Sequence, residues 1–85
     1  MSEDPILGKV IDIIRPIART RTDIQADTAI IQDGIIDSLS VINIIMEIER
    51  AFNLQIGAMD VTIDDFQTPE KIAQIIRRMQ TIRQG

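Results

Sequence analysis

The chain contains neither cysteine nor histidine. Disulfides are therefore excluded, and so are zinc sites built from Cys and His. Nucleophilic catalysis by a Ser–His or Cys–His pair is excluded as well. Aromatic residues make up only 2% of the chain, with no Trp and no Tyr, and the formal net charge is −4. An acidic chain without stacking side chains is a poor nucleic-acid binder, because such binding starts from phosphate neutralisation. No apolar run is long enough to cross a bilayer. The start, Met1-Ser2-Glu3-Asp4-Pro5, lacks the basic and apolar segments of a secretory leader. The absence of cysteine fits a reducing compartment, and the expectation is a cytoplasmic protein.

What is present is aliphatic. Hydrophobic residues make up 45% of the 85 positions, and 20 of them are Ile. A domain of this size has a modest core, and here apolar packing alone must hold it. One domain is expected over 1–85, with the folded part at about 5–82.

Asp4-Pro5 reads as an N-cap followed by proline at the first helical position. Ile6, Val10, Ile13, Ile14 and Ile17 follow at helical spacing. Pro16 opposes this helix, since it removes the hydrogen bond to Asp12, so the helix either ends near Arg15 or passes a kink. Residues 20–36 read as a long connection. Thr20, Thr22, Asp23, Asp27, Thr28, Asp33 and Gly34 form turns, while Ile24, Ile30, Ile31, Ile35 and Ile36 hold the segment against the core as a strap. The Ile-Ile pairs could also form short strands, though neither alternates for long.

A second helix is expected from Ser38 to Phe52, capped by Asp37 and ended by Asn53. After a looser stretch at Gly57, Thr62–Phe66 suits a short helical turn. A last helix begins with Thr68 as cap and Pro69 at its first position. Ile72, Ile75, Ile76, Met79 and Ile82 line its apolar face, and Arg77, Arg78 and Arg83 favour its C-terminal end. The expected fold is all-α: a small bundle of three main helices plus one short one, with a long loop between the first two.

The second helix carries two apolar stripes. At about 100° per residue, Val41, Ile44, Ile45, Ile48 and Phe52 share one face. Leu39, Ile42 and Met46 lie roughly 140° around. Either the long loop covers this second stripe or it stays exposed for partners. Methionine suits a docking role because its side chain adapts to different surfaces.

Ser38 opens this helix, where unpaired N–H groups and the dipole favour negative charge. A phosphodiester on its oxygen would be well placed. No base in the chain activates the hydroxyl, so a separate enzyme would have to install the group. By position alone, the reading of Ser38 or Asp37 as only an ordinary N-cap prevails, since caps of this type are common.

Asp37-Ser38-Leu39, with Gly34 upstream, resembles the attachment motif of acyl carrier and peptidyl carrier proteins. The resemblance extends over about residues 6–82 in the order of elements, and Val41, Ile45, Ile48, Glu49 and Phe52 resemble that family's second helix. It implies a covalent 4′-phosphopantetheine on Ser38, with Asp37 as the flanking residue, installed from coenzyme A by a phosphopantetheinyl transferase. It implies docking through Asp37, Leu39, Ile42, Met46 and Glu47. Partners would be that transferase, an acyl- or aminoacyl-loading (adenylating) ligase, and downstream transferases or synthases. The chain itself would be a non-enzymatic, monomeric thioester carrier.

Asp33-Gly34-Ile35-Ile36 replaces the usual Leu-Gly before the motif, and Asn43 stands where many acyl carriers have Glu. Ile35-Ile36-Asp37-Ser38 and Phe66-Gln67-Thr68-Pro69-Glu70-Lys71-Ile72 are more similar to the D-alanyl carrier branch. A specialised stand-alone carrier of an amino acid or an unusual acyl group is therefore expected over a fatty-acid carrier. The competing reading is a carrier-like interaction module without a prosthetic group. A stand-alone enzyme is disfavoured, because no acid/base pair can be placed. Asp60, Asp64 and Asp65 read as a solvated turn rather than a cation site, since the ligand pattern of a calcium loop is missing.

Overall fold

The computed structural model describes residues 4–19, 23–57 and 61–84. Thr20, Thr22, Asp60 and the side chains of Ile82 and Arg83 lie outside the described residues. Three α-helices, α1 (Pro5–Ile17), α2 (Ser38–Phe52) and α3 (Pro69–Gln84), and one 3-10 helix (Ile63–Phe66) follow one another. Among the described residues there is no strand, so the Ile-Ile pairs form none.

Each long helix starts where the caps require. The Asp4 carboxylate accepts the N–H of Ile6 at 3.0 Å, and Pro5 takes the first helical position. The Thr68 hydroxyl accepts the N–H of Lys71 at 3.1 Å, ahead of Pro69. α2 ends at Asn53, whose φ of 54° is the left-handed turn that asparagine tolerates. Pro16 does not stop α1, which runs on to Ile17. The proline lies on the exposed side, one residue from the end, where water can take the Asp12 carbonyl that it leaves unpaired.

α1 packs against both α2 and α3, and the 3-10 helix bridges α2 and α3. Val10 and Ile14 of α1, Ile44 and Ile48 of α2, and Ile72 and Ile76 of α3 meet in the centre with Phe66 of the 3-10 helix. A second stitch is ionic. Arg77 of α3 reaches both Glu70 (3.0 Å) and Asp4, so the residue that caps α1 also ties it to α3.

The long connection is an ordered strap. Ile24, Ile30, Ile35 and Ile36 are buried. Backbone hydrogen bonds fasten it: Ile30 N–H to the Gln67 carbonyl at 2.7 Å, and Glu70 N–H to the Ala26 carbonyl at 2.9 Å. The second also satisfies an N–H in the first turn of α3. Gly34 turns the chain with φ +75°, a conformation that costs an L side chain strain. After α2, the Glu49 carboxylate accepts the N–H of Ile56 at 2.9 Å and folds the next segment back.

Candidate functional site

The start of α2 is built by Asp37. Its backbone is extended, with φ −101° and ψ 173°, and one carboxylate oxygen accepts the N–H of Ser40 at 2.8 Å. The other faces the Arg19 guanidinium at 3.8 Å. The Asp37 pKa is lowered, first by the Ser40 backbone N–H, then by the Ser40 hydroxyl, and further by Arg19 and the Leu39 N–H. Asp37 is therefore an ionised cap, one oxygen holding the Ser40 N–H and the other facing a guanidinium without a direct hydrogen bond.

Ser38 follows at the first helical position and is exposed. Among the described residues none hydrogen-bonds its hydroxyl, and the Asp37 carboxylate turns to the Ser40 N–H instead. The hydroxyl is on an exposed residue and no base activates it. A group attached there must come from an external enzyme.

The second stripe of α2 stays uncovered, because the strap packs elsewhere. Leu39 is 77% exposed, Ile42 56% and Met46 54%. Glu47, also exposed, lies 3.9 Å from Arg50. Thus Ser38, Leu39, Ile42, Met46 and Glu47 share the solvent side of one helix, while Val41, Ile44 and Ile48 fill the core. Ile45, assigned to the core stripe, is only half-buried at its edge.

Among the described residues, two depressions flank α2. A shallow groove of about 510 Å³ lies against α1, between Ile13, Pro16, Ile17 and Met46, with Lys9, Asp12, Asn43 and Glu47 on its rim. A smaller cleft of about 160 Å³ lies against the 3-10 helix, between Val41, Ile45, Val61, Ile63 and Phe66. The larger one is not the chemical centre, since neither Asp37 nor Ser38 lines it.

Sequence reasoning missed Arg19 and Ile63. Ile63 is 52% exposed beside the smaller cleft, and four residues of 3-10 helix are too few to show a face by spacing. Arg19 lies 18 positions before Asp37, and no local pattern joins them. The acidic turn is partly explained, since Asp65 accepts the Thr62 N–H at 2.9 Å as a cap.

A protein-family model described as "Phosphopantetheine attachment site" matches residues 8–76, most of the chain. The chain belongs to the phosphopantetheine attachment family. Among curated relatives of this carrier, the D-alanyl carrier protein of Staphylococcus saprophyticus subsp. saprophyticus is 26% identical over 72 residues, covering 84% of this chain and 92% of the relative. The D-alanyl carrier protein of Staphylococcus xylosus is 24% identical over the same shares.

The protein is thus a non-enzymatic thioester carrier whose prosthetic group is a covalent 4′-phosphopantetheine. Carriers of this family work with a phosphopantetheinyl transferase and with loading and downstream enzymes. An exposed serine at the first position of a helix, next to a residue that faces a guanidinium, fits a phosphodiester-linked arm. No helix among the described residues is long and apolar enough to cross a membrane.

Proposed function

We propose that Ser38 carries the phosphopantetheine and that the cargo is an amino acid, loaded by an adenylating ligase and passed to a downstream transferase. The observation that carries this reading is the exposed Ser38 at the first position of α2, with Leu39, Ile42 and Met46 left bare along the same helix. The amino-acid cargo rests on the names of the D-alanyl carrier relatives and on the similarity of residues 35–38 and 66–72 to that branch. The prosthetic group supplies a terminal thiol that holds cargo as a thioester.

The chain's own residues do the rest. Asp37 fixes the start of α2 and so the direction in which Ser38 faces. Leu39, Ile42, Met46 and Glu47 form the face that transferase and ligase grip in turn. A small contact of this kind lets the carrier leave after each step. Between visits the tether keeps cargo local, at effective concentrations on the order of millimolar for short flexible links. Residues 5–82 form the carrier domain, working as a cytoplasmic monomer with this helix open to visitors.

Intact mass tests the assignment. With a phosphopantetheinyl transferase and coenzyme A, the wild-type chain and Ser40→Ala gain one phosphopantetheine, and Ser38→Ala gains none. Uptake by Ser38→Ala, or by no form at all, rejects it. Incubation of the modified chain with candidate ligases and amino acids, D-alanine first, then identifies the cargo by a second mass increment.

A further inference from the structure

Attachment at Ser38 gives no role to Arg19, the charged group paired with its neighbour Asp37. Arg19 lies just beyond α1, and its backbone is pinned beside the motif, where its N–H donates to the Ile35 carbonyl at 2.7 Å. The guanidinium reaches Asp37 at 3.8 Å, too far for a direct hydrogen bond, and the side chain is 65% exposed. A cation is thus stationed at the motif with its donors uncommitted to Asp37. Asp37 does not depend on it for capping, because the other carboxylate oxygen holds Ser40. Among the described residues no other Lys or Arg forms an ion pair with the motif.

A phosphodiester on Ser38 would add a second anion directly beside the ionised Asp37. Two negative charges on neighbouring residues repel, and a guanidinium already 3.8 Å from the Asp37 carboxylate is within reach of the next residue. Its planar fork matches phosphate oxygens better than an ammonium does. We propose that Arg19 is a positioning residue for the prosthetic group: its guanidinium rests on Asp37 in the unmodified chain and pairs with the phosphodiester once Ser38 carries it. This rests on the Ser38 assignment.

The test compares four forms, unmodified and modified, each as wild type and as Arg19→Gln, with intact mass confirming the modification. On modification, the Arg19 side-chain N–H resonance of the wild type shifts. The phosphorus-31 resonance of the modified Arg19→Gln protein differs from that of the modified wild type, while Arg78→Gln on α3 leaves it in place. At low salt, Arg19→Gln lowers the thermal midpoint of the modified form by about 1–4 °C more than that of the unmodified form. Arg19→Lys keeps part of this difference, and about 1 M salt removes it. If modification leaves the Arg19 resonance in place, or Arg19→Gln leaves phosphorus unmoved and lowers both midpoints equally, the proposal is overturned. If the wild-type chain takes up no mass, the Ser38 assignment has failed, and this inference falls with it.

Discussion

Asp37 holds together the chemistry of the site at the scale of single residues. Its carboxylate is held in the ionised form, because the Ser40 N–H and hydroxyl, and further Arg19 and the Leu39 N–H, all favour the charge. The folded pKa therefore lies below the ordinary aspartate value of about 3.9. A group with a depressed folded pKa contributes fully above the unfolded value and loses that contribution as pH falls through the folded one. Asparagine caps helices nearly as well as aspartate but does not titrate. Urea midpoints of wild type and Asp37→Asn should thus differ in favour of wild type near pH 6, begin to converge only below about pH 4, and meet once pH has fallen through the folded value. A gap that persists unchanged to pH 2 would mean that the charge of Asp37 is irrelevant to α2. The aspartate was legible in the sequence from its place before a helical pattern. Its partner Arg19 was not, because that pairing exists only after the strap has folded back.

The elements divide in the same way. Both ends of α2 and the starts of α1 and α3 were readable, since Asp4-Pro5, Asp37, Asn53 and Thr68-Pro69 act within one turn of their own positions. Pro16 left two outcomes open, because the sequence does not say on which side of α1 the water lies. The strap was readable only as apolar content. Its isoleucines foretold burial, but the hydrogen bonds from Ile30 to Gln67 and from Glu70 to Ala26 join segments far apart in the chain. That difference has a measurable consequence. Ile30 is as fully buried as Ile44 at the middle of α2. Truncating a well-packed isoleucine costs about 2–5 kcal/mol, so Ile30→Ala should destabilise the domain as much as Ile44→Ala does. Urea unfolding measures both. A cost below about 1 kcal/mol for Ile30→Ala would show that the strap peels away without disturbing the bundle.

For the whole molecule, the problem is to keep one apolar face bare while burying the others. With about 5–15 kcal/mol separating folded from unfolded for typical domains, a small bundle has little to spare on contacts that serve only partners. α2 separates the two duties by angle. Val41, Ile44 and Ile48 turn inward, and Leu39, Ile42 and Met46 turn outward. The outer residues gain little from folding, because more than half of each remains in water. Replacing them singly with alanine should change stability by no more than about 0.5 kcal/mol. The same changes should raise the KM of the transferase for this carrier, on the order of tenfold where the residue is central to the contact, with kcat little altered. Ile44→Ala supplies the opposite pattern, a large loss of stability with modification unimpaired while the domain stays folded. Paired urea curves and transferase kinetics decide between the two duties. Stripe variants that unfold as readily as Ile44→Ala would mean the face belongs to the core, and variants that leave KM unchanged would mean that partners grip the carrier elsewhere.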